Sequence, residues 1–153
     1  MSKIDPMPGP RISAETVHAS TVASDGRAVL IMGPSGAGKS DLALRLLDRG
    51  FTLVSDDQTI VKRDGERLIA SPPPTIAGKL EIRGIGIVEV QCRSDVPVAL
   101  VVELTGQIER LPDDIRHRVI LGAKLPFITV DAMTASAASK VSLALDRMGL
   151  KFQ

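Results

Sequence analysis

One octapeptide constrains this chain more than anything else in it: Gly33-Pro34-Ser35-Gly36-Ala37-Gly38-Lys39-Ser40. It matches in full the pattern Gly, four residues, Gly-Lys-Ser/Thr that wraps nucleotide phosphates. Glycines let successive backbone N–H groups turn inward around phosphate oxygens with no Cβ in the way. A helix opening at the lysine adds unpaired N–H groups and the positive end of its dipole. Lys39 then reaches the terminal phosphates and the Ser40 hydroxyl faces a Mg²⁺ ion. The alternative is an ordinary glycine-rich turn that happens to hold Lys-Ser. The flanks argue against it, because the motif needs a strand before it and an amphipathic helix after it. Residues 28–32 are wholly apolar, and Leu42, Ala43, Leu46 and Leu47 form one helical stripe that Gly50 ends.

The loop must supply its own positive field, since the net charge of the 153-residue chain is only +1. That balance gives no general attraction to nucleic acid or to a membrane surface. A hydrophobic fraction of 44% against 24% charged describes a folded chain with a core of its own. Cys92 stands alone, so no intrachain disulfide can form, and a reducing cytoplasmic setting is the expectation. No apolar run approaches the roughly 20 residues that span a bilayer.

Patterning predicts a mixed-sheet α/β domain with few helices. Residues 1–11, with three prolines, read as a disordered lead-in, and 12–153 as a single catalytic domain. Segments 16–23 and 27–32 flank Ser24-Asp25-Gly26 and predict a hairpin. A helix is expected over 40–49, a strand over 51–55, and a second hairpin from 59–63 and 67–70. Strand segments follow at 80–82 and 85–90. Residues 96–104 are almost continuously apolar, as in a strand buried on both faces. A short polar helix is expected from Leu111, a strand at 127–130, and a closing helix over 136–148 with Val141, Leu145 and Met148 on one face.

Three further segments carry chemistry. Asp56-Asp57 ends the strand after the loop helix, where neighbouring side chains point oppositely. One carboxylate can face a metal while the other faces an acceptor hydroxyl; a plain polar turn is the alternative. Leu80-Glu81-Ile82-Arg83 alternates, so Glu81 and Arg83 share a face, either toward phosphate or as a solvated salt pair. His18 sits alone in an apolar stretch, where a histidine is more often a structural hydrogen bonder. Arg116-His117-Arg118 reads as a solvated helix face or as a docking patch. No Asn/Thr-Lys-x-Asp segment exists to read guanine, which argues against a GTPase.

Taken together, His18, the phosphate loop, Ser55-Asp56-Asp57 and the run Leu80-Glu81-Ile82-Arg83-Gly84-Ile85-Gly86-Ile87 resemble the HPr kinase/phosphorylase family in order and rough spacing. The Glu-Ile-Arg-Gly-Ile-Gly portion is similar to that family's second signature. The resemblance implies a domain like the nucleotide-binding core of phosphoenolpyruvate carboxykinase, in a short form without the N-terminal domain of longer members. It implies transfer of a phosphoryl group to a serine of a small HPr-like phosphocarrier, and reversal by phosphorolysis. Mg²⁺ and ATP are implied, with pyrophosphate as the other donor, and so is a homo-oligomer, a hexamer in the family. Asp56 matches the general base, Asp57 and Glu81 the metal-side carboxylates, Arg83 a phosphate contact, His18 a residue that adjusts the base, and Arg110 an active-site arginine. The segment 131–140 departs from the family by lacking the glycine and arginine tied to the reverse reaction. A small-molecule kinase and a non-catalytic nucleotide sensor are the competing classes.

The phosphate loop yields the first prediction. Lys39→Ala or Ser40→Ala removes a charged or metal-facing contact, so affinity for Mg-nucleotide falls about tenfold or more. Titration calorimetry checks it, and unchanged affinity in both variants contradicts the assignment.

Overall fold

The computed structural model describes residues 13–108 and 116–152. Its strands are β1 (Ala14–Val17), β2 (Ala19–Ser24), β3 (Arg27–Met32), β4 (Thr52–Ser55), β5 (Thr59–Asp64), β6 (Arg67–Ser71), β7 (Lys79–Ile82), β8 (Gly86–Glu89), β9 (Val96–Leu104), β10 (Arg116–Ile120) and β11 (Ala123–Val130). Two α-helices accompany them, α1 (Lys39–Leu47) and α2 (Ala137–Met148). The fold is mixed α/β, with one large curled sheet and a separate β7–β8 hairpin.

The long strand β9 organises the sheet. Its first residues pair with β6, Val96 opposite Ala70, while its later residues pair in parallel with β3 and β11. β9 thereby ties an antiparallel run, β1-β5-β6, to the central strands β3, β2 and β4. Alternation along the strand, shifted by a bulge between Val98 and Leu100, fills two cores at once. Leu100 and Val102 join Val29, Ile31, Leu42, Leu46 and Val141 under the helices. Val98 and Val101 join Leu30, Val61, Leu68 and Leu125 on the other face. The expectation of a strand buried on both faces describes β9 well.

Strand direction decides where chemistry can sit. β3, β9 and β11 run parallel, and β2 is antiparallel to both β3 and β4. The C-terminal ends of β3, β4, β9 and β11 and the start of β2 therefore meet at one edge. Sheets of this kind bind ligands outside the carboxyl ends of their parallel strands. The phosphate loop leaves β3 at that edge, Asp56 follows β4, and His18 precedes β2. No helix among the described residues is long and apolar enough to cross a membrane.

Some sequence expectations change. The expected strand 16–23 is two strands with a bend at His18: β1 pairs with β5, and only β2 pairs with β3. Ala19–Ser24 are small and almost wholly buried in mid-sheet, whereas β1 is an exposed edge strand. The turn itself holds, with Asp25 and Gly26 at φ 53° and 73°, the left-handed pair a tight hairpin requires. Residues 116–118 belong to a strand rather than a helix face: β10 pairs antiparallel with β11, and Arg116 and Arg118 lie over the Phe127 ring at 5.2 and 4.4 Å. Arg118 also pairs with Glu103. Phe127 meets the two guanidiniums across the β10–β11 hairpin, which the helix-face reading of 116–118 does not anticipate. The short helix expected from Leu111 lies outside the described residues.

Because Leu100 is fully buried at the centre of β9, Leu100→Ala should cost about 2–5 kcal/mol of stability. The chain has no Trp or Tyr, so urea unfolding followed by far-ultraviolet circular dichroism is the measurement. A loss under about 1 kcal/mol, well below the core range, would show that β9 is not the keystone.

Candidate active site

The phosphate loop joins β3 to α1 through Gly36 and Gly38 at φ 84° and 101°, values that side chains with a Cβ rarely adopt. A Cβ on Gly38 would also come within 3.1 Å of the Ala132 methyl. The loop is thus pressed against the segment that follows β11. Arg45 of α1 fastens that contact by donating to the carbonyls of Ala132 at 2.5 Å and Thr134 at 3.2 Å. α1 begins at Lys39, so the free N–H groups of its first turn open onto the loop. Lys39 is only 4% exposed, and its ammonium donates to the carbonyls of Gly33 at 2.7 Å and Pro34 at 3.1 Å. These are contacts that phosphate oxygens can replace.

The two aspartates behave very differently. Asp56 is 7% exposed and accepts three hydrogen bonds. Its Oδ1 receives the Ser40 hydroxyl at 2.6 Å and the Ser20 hydroxyl at 2.9 Å, and its Oδ2 receives the Glu81 backbone N–H at 3.1 Å. Asp57 is half-exposed and sits at φ 65°. Its Oδ1 lies 3.6 Å from Lys39 Nζ and 3.7 Å from His18 Nε2. The left-handed residue turns the second carboxylate out of the strand's alternation and over the mouth of the loop.

This geometry gives the two carboxylates different settings. Asp56, expected to be the base, is locked against the hydroxyl that would face a metal. Asp57, expected on the metal side, is the exposed carboxylate beside lysine and histidine. His18, expected to adjust the base, also stands against Asp57. For Mg²⁺ the donor set is chemically apt: the Ser40 hydroxyl and the Asp56 carboxylate are hard oxygen ligands already within hydrogen-bond distance of each other. Among the described residues no cluster of three or more His, Cys, Asp and Glu forms a metal cage. Mg²⁺ commonly needs none, since it binds through one or two carboxylates together with phosphates.

Glu81 joins the site through its backbone, while its side chain is exposed. Leu80 is buried under α1 and α2 and anchors the β7–β8 hairpin. Arg83 is exposed at the hairpin turn, and among the described residues no ion pair joins it to Glu81. The solvated salt pair is therefore not what holds these two. Arg110 lies outside the described residues. Ser20 is the site residue that sequence patterning missed. Thr21 and Ser24 of the same strand also carry hydroxyls, so nothing in the pattern singles Ser20 out.

Comparison with known proteins points the same way. Residues 12–147 match the model of the HPr Serine kinase C-terminal domain. An HPr kinase/phosphorylase of Chlorobium phaeobacteroides is 40% identical over 124 residues, covering 72% of this chain and 37% of that protein. One from Latilactobacillus sakei is 35% identical over 139 residues, covering 82% and 44%. The chain thus spans less than half the length of these relatives. The solved structure of the Hpr(Ser) kinase/phosphatase from Coxiella burnetii superposes with a TM-score of 0.75 at 31% identity, covering 86% of this chain and 94% of that one.

With Asp56 rather than Asp57 against the Ser40 hydroxyl, Asp56→Asn is expected to weaken Mg²⁺-dependent nucleotide binding by about tenfold, the loss of a charged contact, and Asp57→Asn to leave it nearly unchanged. Calorimetry with and without Mg²⁺ separates the two, and the opposite ranking would restore the original assignment.

Proposed function

The chain belongs to the HPr serine kinase C-terminal domain family, and on that premise we propose that it is an ATP-dependent protein serine kinase and phosphorylase acting on an HPr-like phosphocarrier. The observation that carries the proposal is the split of the Asp56-Asp57 pair, one carboxylate against Ser40 and one facing outward beside Lys39 and His18. A protein sensor needs no exposed carboxylate at the phosphate-transfer end of the loop. The outward position suits an acceptor that arrives from solvent as part of another protein. As a fold, the strand–loop–helix unit within a curled mixed sheet supports the likeness to the nucleotide core of phosphoenolpyruvate carboxykinase.

In the proposed mechanism the P-loop amides and Lys39 bind and orient the triphosphate, and Lys39 exchanges its contacts to the Gly33 and Pro34 carbonyls for phosphate oxygens. The Ser40 hydroxyl and the Asp56 carboxylate would hold Mg²⁺, which would supply charge compensation for the transferring group. Phosphoryl transfer passes through a loose in-line transition state, so orientation and charge compensation dominate. Asp57 holds the acceptor serine hydroxyl and takes its proton as the new P–O bond forms and the bond to the leaving diphosphate breaks. His18 fixes the direction of the Asp57 carboxylate. Arg83 reaches the phosphates from the hairpin and Arg110 adds a further cation, as the family resemblance implies. In reverse, inorganic phosphate attacks the seryl phosphate, Asp57 returns the proton to the serine oxygen, and pyrophosphate leaves.

Location in the cytoplasm fits the lone Cys92 and the absence of a membrane-crossing helix among the described residues. Self-association fits the exposed Ile85 and Ile87 on the β7–β8 hairpin, 74% and 68% accessible. The phosphorolytic direction is supported by the paired aspartates rather than by the loop after β11, where the Arg45 guanidinium is already bound to the carbonyls of Ala132 and Thr134.

The proposal is tested by incubating the protein with Mg-ATP and HPr and weighing HPr by intact mass spectrometry. One phosphoryl adduct on a serine is expected, and Asp57→Asn should slow its formation by about 10²-fold or more. Absence of any adduct across HPr-type carriers, with nucleotide binding intact, would leave the sensor reading in its place.

A further inference from the structure

Ser20 is the second residue of β2, paired with Ile31 of β3, and it is completely buried. Its hydroxyl works in both directions. It donates to Asp56 Oδ1 at 2.9 Å and accepts the backbone N–H of Asp57 at 3.0 Å. A single oxygen therefore ties the side chain of the metal-side aspartate to the main chain of the outward one. Among the described residues no other side chain is hydrogen-bonded to both.

That link bears on a backbone conformation that has to be held. Asp57 sits at φ 65°, where a residue with a Cβ persists only when its surroundings fix it. The turn has other braces. Gln58 N–H donates to the Asp56 carbonyl at 2.7 Å, and the Ser55 hydroxyl donates to the Gln58 carbonyl at 2.5 Å. Thr59, just beyond, is buried against Thr21 at 2.8 Å and donates to the Ala19 carbonyl at 2.9 Å. Those contacts hold the residues on either side of Asp57. Among the described residues only the Ser20 oxygen holds the amide of Asp57 itself, and the direction of that residue decides whether its carboxylate faces His18 and Lys39.

We propose that Ser20 is a positioning residue for phosphoryl transfer, acting by fixing the backbone of Asp57 relative to the Asp56 carboxylate. The inference rests on the reading of Asp57 as the proton acceptor. Ser20 touches neither nucleotide nor acceptor; it acts through Asp57. A serine that merely completes the core's hydrogen bonds would lower stability without any coupling to Asp57.

The test is a double-mutant cycle in single-turnover transfer from Mg-ATP to HPr, using Ser20→Ala, Asp57→Asn and the pair. Ser20→Ala should slow transfer roughly tenfold, the effect of losing one hydrogen bond that serves the transition state. In the Asp57→Asn background the same change should have no effect on rate, because the residue through which it acts is already disabled. Amide hydrogen exchange should show lost protection at Asp57 in Ser20→Ala, with β3 and β9 protected as before. Ser20→Cys, which fills the site with a weak hydrogen-bonding group, enters the same cycle if Ser20→Ala does not fold. An equal slowing in both backgrounds, with Asp57→Asn itself slow, would overturn the proposal and leave the acceptor assignment standing. Wild-type transfer by Asp57→Asn alone would overturn the acceptor assignment and the proposal together.

Discussion

Asp56 carries a carboxylate that is 7% exposed, and a charge so placed is tolerated only when donors surround it. Its three donors come from three separate elements: Ser40 from α1, Ser20 from β2, and the Glu81 amide from the β7–β8 hairpin. That single group therefore fastens the phosphate loop, the central sheet and the hairpin to one another. Removing it would leave three buried or half-buried donors unpaired on elements that otherwise meet only through apolar packing. Its neighbour meets a different setting. Asp56 is held among its three donors inside the fold, whereas half-exposed Asp57 keeps its oxygens open to solvent.

The sheet supplies the setting for this arrangement. β3, β9 and β11 end together, and β2 begins beside them, so short loops from four places in the sequence converge without long excursions. The Gly38–Ala132 contact and the Arg45 hydrogen bonds hold the loop after β11 against the phosphate loop. Buried strands place the site, and side chains at their ends give it its chemistry. This division explains how the core and the catalytic edge can be disturbed separately by mutation.

Much of this was legible in the residues because the relevant signals are local. The phosphate loop, its flanking strand and helix, and the apolar run of β9 all declare themselves within a dozen residues. The pairing of β1 with β5 depends on contacts distant in sequence. The β10–β11 hairpin, which sets Arg116 and Arg118 over Phe127, is local but carries an Arg-His-Arg run that reads equally as a solvated helix face. The settings of Asp56 and Asp57 were hidden for a sharper reason. Simple alternation gives each carboxylate a side, and the family resemblance names the first as the base. The left-handed backbone of Asp57 and the hydroxyl of Ser20 bury one carboxylate and turn the other outward, and neither leaves a mark in the pattern of types. Arg110 lies outside the described residues, and Arg83 stands exposed on a turn whose contacts would come from ligand.

We propose that Asp56 serves the metal and Asp57 serves the acceptor. The most direct measurement is a crystal structure of the protein with Mg²⁺ and a non-hydrolysable ATP analogue. The account predicts metal density against the Ser40 hydroxyl and Asp56 carboxylate, the Lys39 ammonium moved from the Gly33 and Pro34 carbonyls onto phosphate, and the Asp57 carboxylate free beside His18. Metal density on Asp57, with Asp56 still bound only to Ser20, Ser40 and the Glu81 amide, would contradict it.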